Sequence, residues 1–174
     1  MDVHPEPFPH VILDDFLSDD LFVELCGVLE GIPSERKEAD LFQFDQSEDL
    51  SKAKDIVLQK LQKKLLSLKE EIGRSFAVDL KRLDMFAAFY YDTDYLLPHD
   101  DRLESRKIAY TFYVAVPEEG GELALLKNKP PYLKANIEVV PNRLVLFLVG
   151  HDSWHEVEEV IGDLPRISVS GWFH

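Results

Sequence analysis

Ile108-Ala109-Tyr110-Thr111-Phe112-Tyr113-Val114-Ala115-Val116 decides the class of fold. The stretch is built of β-branched and aromatic residues. In an extended chain successive side chains take opposite faces, so Ile108, Tyr110, Phe112, Val114 and Val116 form one apolar side. From Phe76 to the C-terminus the same texture continues. Asp84 to Tyr91 is aromatic-rich, and Glu122 to Leu126, Ile137 to Val140, Leu144 to Val149 and Arg166 to Phe173 read as further short strands. Glu118-Glu119-Gly120-Gly121 and Pro130-Pro131 punctuate them as turn and loop. Turn signals every 8 to 12 residues or so predict an antiparallel sandwich or barrel whose strands enclose a mouth.

N-terminal to this region the pattern is largely helical. After a proline-rich lead-in from Pro5 to Pro9 and an apolar strand at Val11-Ile12-Leu13, a turn is expected at Asp14-Asp15. Ser18 reads as an N-cap, with Asp19 and Asp20 at the positive end of the helix dipole. Leu21, Leu25, Val28 and Leu29 share one helical face, and Gly31 and Pro33 end that helix. A second helix is expected from about Leu50 to Ser75, where Leu58, Leu61, Leu65, Leu68 and Ile72 repeat at three and four residues. Its apolar seam lasts only about two heptads, so it is read as packing on the sheet rather than as a coiled coil. Between the helices, residues 34–49 are charged and interrupted by aromatics, which suits an exposed loop or an irregular edge strand. The expected fold is mostly β with helices packed on it, one domain over residues 1–174, with a helical part at about 18–75 and a β core at about 84–174.

The chain holds 33 acidic and 19 basic residues, a net charge of -14. Such a surface repels phosphate backbones and anionic lipid, so neither direct nucleic-acid binding nor a membrane partner is expected; a basic protein or peptide suits it better. The single cysteine, Cys26, forms no internal disulfide and reads as a small core or near-core hydrophobe. The start Met1-Asp2-Val3-His4-Pro5 lacks the basic and apolar regions of a secretory signal. A reducing compartment is therefore expected, cytoplasmic or nuclear.

Chemistry concentrates at Leu96-Leu97-Pro98-His99-Asp100-Asp101-Arg102. If the chain is extended there, His99 and Asp101 point one way and Asp100 the other. An imidazole and a carboxylate supply two corners of the arrangement of two histidines and one carboxylate that holds non-haem Fe(II) and leaves the opposite coordination positions open. The third corner must come from a later strand, where His151 and His155 are available in Gly150-His151-Asp152-Ser153-Trp154-His155-Glu156-Val157. His155 is favoured, because Val157 and Val160 mark a chain re-entering the sheet, whereas His151 follows a glycine as a turn residue would. His4 and His10 in the lead-in and His174 at the end of the sequence are expected to be exposed and inert. In the last strand Arg166, Ser168 and Ser170 share one face. An arginine in so apolar a strand needs an anion, which is either a nearby Asp or Glu or the carboxylate of a small ligand gripped by the guanidinium fork with help from the Ser168 hydroxyl.

His99-x-Asp101, then His155, then Arg166, in that order, resembles the Fe(II)- and 2-oxoglutarate-dependent oxygenases. Tyr90 with Leu96 to Asp101, Gly120 to Leu125, Arg166 to His174 and Asp40 to Leu50 are similar to the ribosomal-protein prolyl hydroxylases of eukaryotes, the termination-and-polyadenylation group. Pro7 to Ile12 with Asp15-Phe16-Leu17 is shared more widely among prolyl hydroxylases. The resemblance implies a double-stranded β-helix, or jelly-roll, core and the iron ligands His99, Asp101 and His155. It implies Arg166 on the distal carboxylate of 2-oxoglutarate, with Tyr90 donating a hydroxyl to the same end. It also implies consumption of O2, stimulation by ascorbate, and a prolyl residue of a small-subunit ribosomal protein as the substrate. A 2-oxoglutarate oxygenase acting on another side chain or a small molecule, or a binding module that kept the fold without turnover, are the other readings.

Overall fold

The computed structural model describes residues 1–103, 105–127, 129–130 and 132–174. In chain order the elements are β1 (His10–Leu13), α1 (Asp19–Leu29), β2 (Ser34–Ala39), β3 (Phe42–Ser47), a 3-10 turn (Leu50–Lys52), α2 (Ile56–Ser67), α3 (Lys69–Phe76), β4 (Phe86–Tyr90), β5 (Tyr95–His99), β6 (Ile108–Ala115), β7 (Glu119–Gly120), β8 (Leu123–Lys127), β9 (Leu133–Ile137), β10 (Leu144–Leu148), β11 (Trp154–Val157), β12 (Val160–Ile161) and β13 (Arg166–Phe173). Pro130 lies in a bend, as expected, while Pro131 falls outside the described residues. The strand read at 137–140 begins earlier, and Ile137 is its last residue.

Eleven strands form one antiparallel sheet in the order β1-β10-β6-β13-β4-β3-β5-β11-β8-β9, with β2 paired to β3. The sheet curls over at β3, which pairs β4 through Asp45 and Gln46 and β5 through Phe42 and Gln43. Its two halves therefore face each other. Tyr113, Val145 and Phe147 from one half meet Leu123 and Leu125 from the other in a common buried cluster. This is the expected jelly roll.

Alternation on β6 sorts the layers. Ile108, Tyr110, Phe112 and Val114 join the cluster beneath the helices, whereas Ala109 and Tyr113 point between the sheet halves. Val116, expected with the first set, packs against the second because β6 ends at Ala115 and the alternation ends with it. The helices cover the outer face: Leu25 and Leu29 of α1, Leu58, Leu61 and Leu65 of α2, and Ile72 and Phe76 of α3 share one core with Phe112, Leu146 and Val169. Each such side chain contributes about 1.5–3 kcal/mol by leaving water. Cys26 packs half-buried against that core, as read.

Other expectations change as well. The helix read from Leu50 to Ser75 is a 3-10 turn and two α-helices. The heptad-like pattern runs through the break because Leu68, at ψ -10, ends α2 and starts α3 with its side chain still packed inward. Residues 34–47, placed in the helical part, form a hairpin. β2 is the open edge, but β3 lies inside the sheet, with Phe42, Phe44 and Gln46 turned toward the cavity. Ser18 is the N-cap of α1, as read, but its side chain makes no cap bond; Asp55 caps α2 by accepting from the Val57 and Leu58 N–H groups. His10 and His174 are buried rather than exposed. His10 sits in β1 with Nδ1 on the Phe8 carbonyl, and His174 is held between Asp84 and Ser105; His4 alone of the three is exposed. No described helix is long and apolar enough to cross a membrane.

Candidate metal centre

β5 and β11 are neighbours, and their register sets His99 directly opposite His155. Each imidazole is pinned by a backbone carbonyl two residues before it: His99 Nδ1 lies 2.9 Å from Leu97 O and His155 Nδ1 2.8 Å from Ser153 O. A carbonyl only accepts, so Nδ1 carries a proton in both rings, and the neutral form of each imidazole then has its lone pair on Nε2, the tautomer a metal needs. The rings stand 4.1 Å apart by their centroids.

The third corner arrives by a turn rather than by strand alternation. β5 ends at His99, and Asp101 takes φ 57, so its carboxylate swings back between the histidines: Oδ1 is 3.5 Å from His99 Nε2 and Oδ2 3.4 Å from His155 Nε2. Adjacent donors of an octahedral ion with bonds of about 2.1 Å stand about 3 Å apart, so a small closure accommodates one ion. The three ligand atoms lie within 4.8 Å of one another. Asp100 turns away onto Arg102, 2.7 Å from its Nε. His151 is exposed in a turn, its Nδ1 2.6 Å from Arg102 Nη1, and takes no part in the cluster.

Electrostatics fit a cation here. Burial works against the Asp101 charge, but hydrogen bonds and charge from His155 and His99 overcome it and hold the carboxyl well below the usual range. For His99, burial is likewise the largest single effect and lowers its pKa, yet the Asp101 carboxylate and the Leu97 carbonyl leave it raised. The indole of Trp172 donates to Asp101 Oδ2 at 2.9 Å, and the Arg106 guanidinium lies 3.3 Å over that indole. Oδ2 is thus engaged by Trp172, while Oδ1 faces Nε2 of His99 with Arg106 Nη1 3.7 Å away.

The cluster opens into a cavity of about 340 Å³ between the sheet halves. Arg166 reaches it from the first residue of β13, opposite Tyr90 on β4. Its side chain is 2% exposed; Nη1 donates to the Ser168 hydroxyl at 3.2 Å, Nε has no partner, and no carboxylate pairs with it among the described residues. The guanidinium lies over the rings of Tyr90 and Tyr113, at 5.0 and 5.1 Å. Of the two partners left open for this arginine, no internal carboxylate is found among the described residues. What stands ready is a buried, unneutralised cation shaped for a carboxylate, with hydroxyls beside it.

Tyr90, expected to offer its hydroxyl there, is buried and stacked on Phe44 at 4.9 Å. A second tyrosine escaped the sequence reading: Tyr113 is fully buried and its hydroxyl has no partner. Its parity opposite Phe112 on β6 was the available signal. Trp172 was missed as well, although it shares the inward parity of Arg166, Ser168 and Ser170.

Comparison with known proteins agrees with this geometry. Residues 85–174 match the profile of the 2OG-Fe(II) oxygenase superfamily. The chain is 39% identical over 183 residues to the prolyl 3-hydroxylase OGFOD1 of Xenopus laevis, covering 97% of this chain and 35% of that protein. It is 34% identical to the prolyl 3-hydroxylase OGFOD1 of Mus musculus, covering 97% and 33%. The chain thus spans about a third of the length of the curated relatives it matches. Among solved structures, a Pseudomonas putida prolyl-4-hydroxylase superposes with TM-score 0.80 at 19% identity, covering 95% of this chain and 91% of that one. A matched profile over more than half its length, with the metal-type cluster and the unpaired arginine both inside the matched region, places the protein: the chain belongs to the 2OG-Fe(II) oxygenase superfamily.

Proposed function

We propose that the protein is an Fe(II)- and 2-oxoglutarate-dependent dioxygenase that hydroxylates a prolyl residue of a protein, with succinate and carbon dioxide as coproducts. The observation that carries this reading is the pairing, in one cavity, of three metal-type donors with a buried arginine that has no carboxylate partner among the described residues. His99, Asp101 and His155 would hold the iron, and the orphaned Arg166 and Tyr113 would take the distal carboxylate of 2-oxoglutarate, beside Ser168 and Tyr90.

When bound, the iron and cosubstrate supply the oxidative chemistry that activates O2 and hydroxylates a C–H bond. The protein's share is geometric and electrostatic. The two Nδ1–H···O=C bonds fix the histidine tautomers and aim both Nε2 atoms at one point. Trp172 restrains the Asp101 carboxylate, which offsets part of the metal charge. Arg166 fixes the cosubstrate by its far end, so that its 2-oxo acid end is presented to the metal. The outer wall of the cavity, with Phe42, Phe44, Phe86 and Trp172, is apolar and suits a pyrrolidine ring while excluding water.

The prolyl assignment draws on the similarity to prolyl 3-hydroxylases, and a small-subunit ribosomal protein on the resemblance to the termination-and-polyadenylation group. A net charge of -14 favours a basic polypeptide over nucleic acid, and the lone cysteine suits a reducing compartment, cytoplasmic or nuclear. Ascorbate is included as a stimulant. The test is succinate formation from 2-oxoglutarate with Fe(II) and ascorbate, followed by mass spectrometry of ribosomal proteins incubated with the enzyme, reading one added oxygen on proline. Protein that binds neither Fe(II) nor 2-oxoglutarate would leave a binding module with the same fold. Oxygen added to another residue would keep the chemistry and replace the substrate.

A further inference from the structure

We propose that His174 is a positioning residue for the metal centre: its imidazole clasps, through Ser105, the loop that carries Asp101. The inference rests on the metal-site reading above. Among its described residues the loop after β5 holds two non-glycine residues with positive φ, Asp101 at 57 and Ser105 at 73. Such a conformation is unfavourable for any residue with a Cβ and persists only where the surroundings hold it.

Backbone bonds hold part of the loop. The Leu103 N–H donates to Asp101 O at 2.8 Å, the Arg106 N–H to Leu103 O at 3.2 Å, and the Lys107 N–H to Phe173 O at 2.9 Å. Side chains hold its start, where Trp172 donates to Asp101 Oδ2 at 2.9 Å, Ser153 Oγ to the Asp100 carbonyl at 3.1 Å and Arg106 Nη1 to the Asp101 carbonyl at 3.5 Å; its far end is tied by His174. The Ser105 hydroxyl lies 2.8 Å from His174 Nδ1, and His174 Nε2 lies 2.7 Å from Asp84 Oδ2. The carboxylate draws the ring proton to Nε2, so Nδ1 is left to accept from the Ser105 hydroxyl and, at 3.3 Å, from Arg82 Nη2.

Asp84 is a firm anchor. Arg82 donates to its carboxylate at 2.7 Å, the Tyr110 hydroxyl donates to its carbonyl at 2.8 Å, and its own N–H donates to Trp172 O at 2.9 Å. The imidazole is 7% exposed, and the His174 backbone is bonded to Arg82 O and Lys81 N. A rigid ring therefore stands between a fixed carboxylate and the strained segment of the ligand loop, four residues from the ligand itself. His174 touches no ligand. It acts through the conformation at which Asp101 is presented.

The test measures Mn²⁺ affinity of the purified chain by calorimetry, with the Mn²⁺ paramagnetic resonance spectrum as a second readout. The variants are Ser105→Ala, His174→Phe and the pair together, with thermal melting recorded alongside. Loss of a partner bonded directly to a ligand typically costs 10–100-fold in metal affinity, so a clasp one step removed should cost about 3- to 10-fold in each single variant. The double variant should be no weaker than the weaker single, since both remove one link. Ser105 is exposed, so its alanine variant should keep the wild-type melting temperature and separate the effect on the metal from damage to the fold.

Wild-type affinity in both single variants would overturn the clasp, as would additive losses, or a loss confined to His174→Phe. A wild-type chain that binds no Mn²⁺ would overturn the metal-site reading and the clasp with it.

Discussion

Replacing Arg166 by methionine should stabilise the ligand-free protein while abolishing its response to 2-oxoglutarate. Arg166 is 2% exposed, its Nε is unpartnered and no carboxylate neutralises it among the described residues. Burying an ion costs several kcal/mol even after relaxation. Against that stand one bond to the Ser168 hydroxyl, about 1 kcal/mol, and the faces of Tyr90 and Tyr113, together about 1–2 kcal/mol. Methionine fills much of the same apolar channel without charge, leaving a net gain of about 1–3 kcal/mol. At about 2–4 °C per kcal/mol for a domain of this size, the melting temperature should rise by roughly 2–12 °C in metal-free buffer.

Wild-type protein with Mn²⁺ and 2-oxoglutarate at about a hundred times its dissociation constant should gain about 2.7 kcal/mol, a shift the methionine variant lacks. Differential scanning fluorimetry of both proteins, with and without cosubstrate, reads the two effects together. A methionine variant melting several degrees lower would refute the reasoning, because it would mean that the resting fold already neutralises the arginine.

His155→Ala should abolish Mn²⁺ binding by calorimetry while His151→Ala leaves it intact; the reverse would move the third ligand to the turn. Burial, with His4 stacked alongside, holds His10 below its ordinary pKa of 6.5 despite the Phe8 carbonyl. The unfolded chain therefore takes up the proton first as pH falls below about 6.5, and stability declines from there toward the folded pKa. His10→Phe should flatten that part of the melting-temperature profile, and an unchanged profile would assign the acid sensitivity to other groups. A Cβ added at Gly171 would run into the Asp84 carbonyl, which is backbone and cannot step aside, so Gly171→Ala should cost about 1–3 kcal/mol in urea unfolding. An unchanged midpoint would show that β13 and the segment before β4 shift freely.

The sheet was readable because β6 and β13 alternate cleanly, and alternation is a property of the local chain. Residues 34–47 were not, because β2 carries its charges on an open edge while β3 owes its place to β4 and β5, contacts that no local pattern encodes. The ligand pair illustrates the same limit. His99 and Asp101 do converge, but strand periodicity is not the cause: the chain leaves the sheet after His99 and a left-handed backbone at Asp101 brings the carboxylate round. His10 and His174 looked inert because proximity to a terminus suggests exposure, whereas β1 pairs with β10 and the end of β13 is covered by Asp84 and Ser105. Tyr113 and Trp172 lay on inward parities that were visible beforehand, but parity alone does not say which inward residues meet a site rather than a core.

The eight residues of β13 serve two masters by turns. Arg166, Ser168 and Trp172 face the cavity, while Ile167, Val169 and Phe173 face the helices. An insertion or deletion of a single residue within the strand would exchange the two sets, sending the arginine into the oil of the helical layer and isoleucine toward the cosubstrate. Point changes along it can be tolerated one at a time, whereas length changes cannot. Lineages of this protein should therefore vary freely in the number of residues at the loops around β13 and never within it, and a designer grafting new specificity has the β2–β3 hairpin to reshape, but must leave the length of β13 alone.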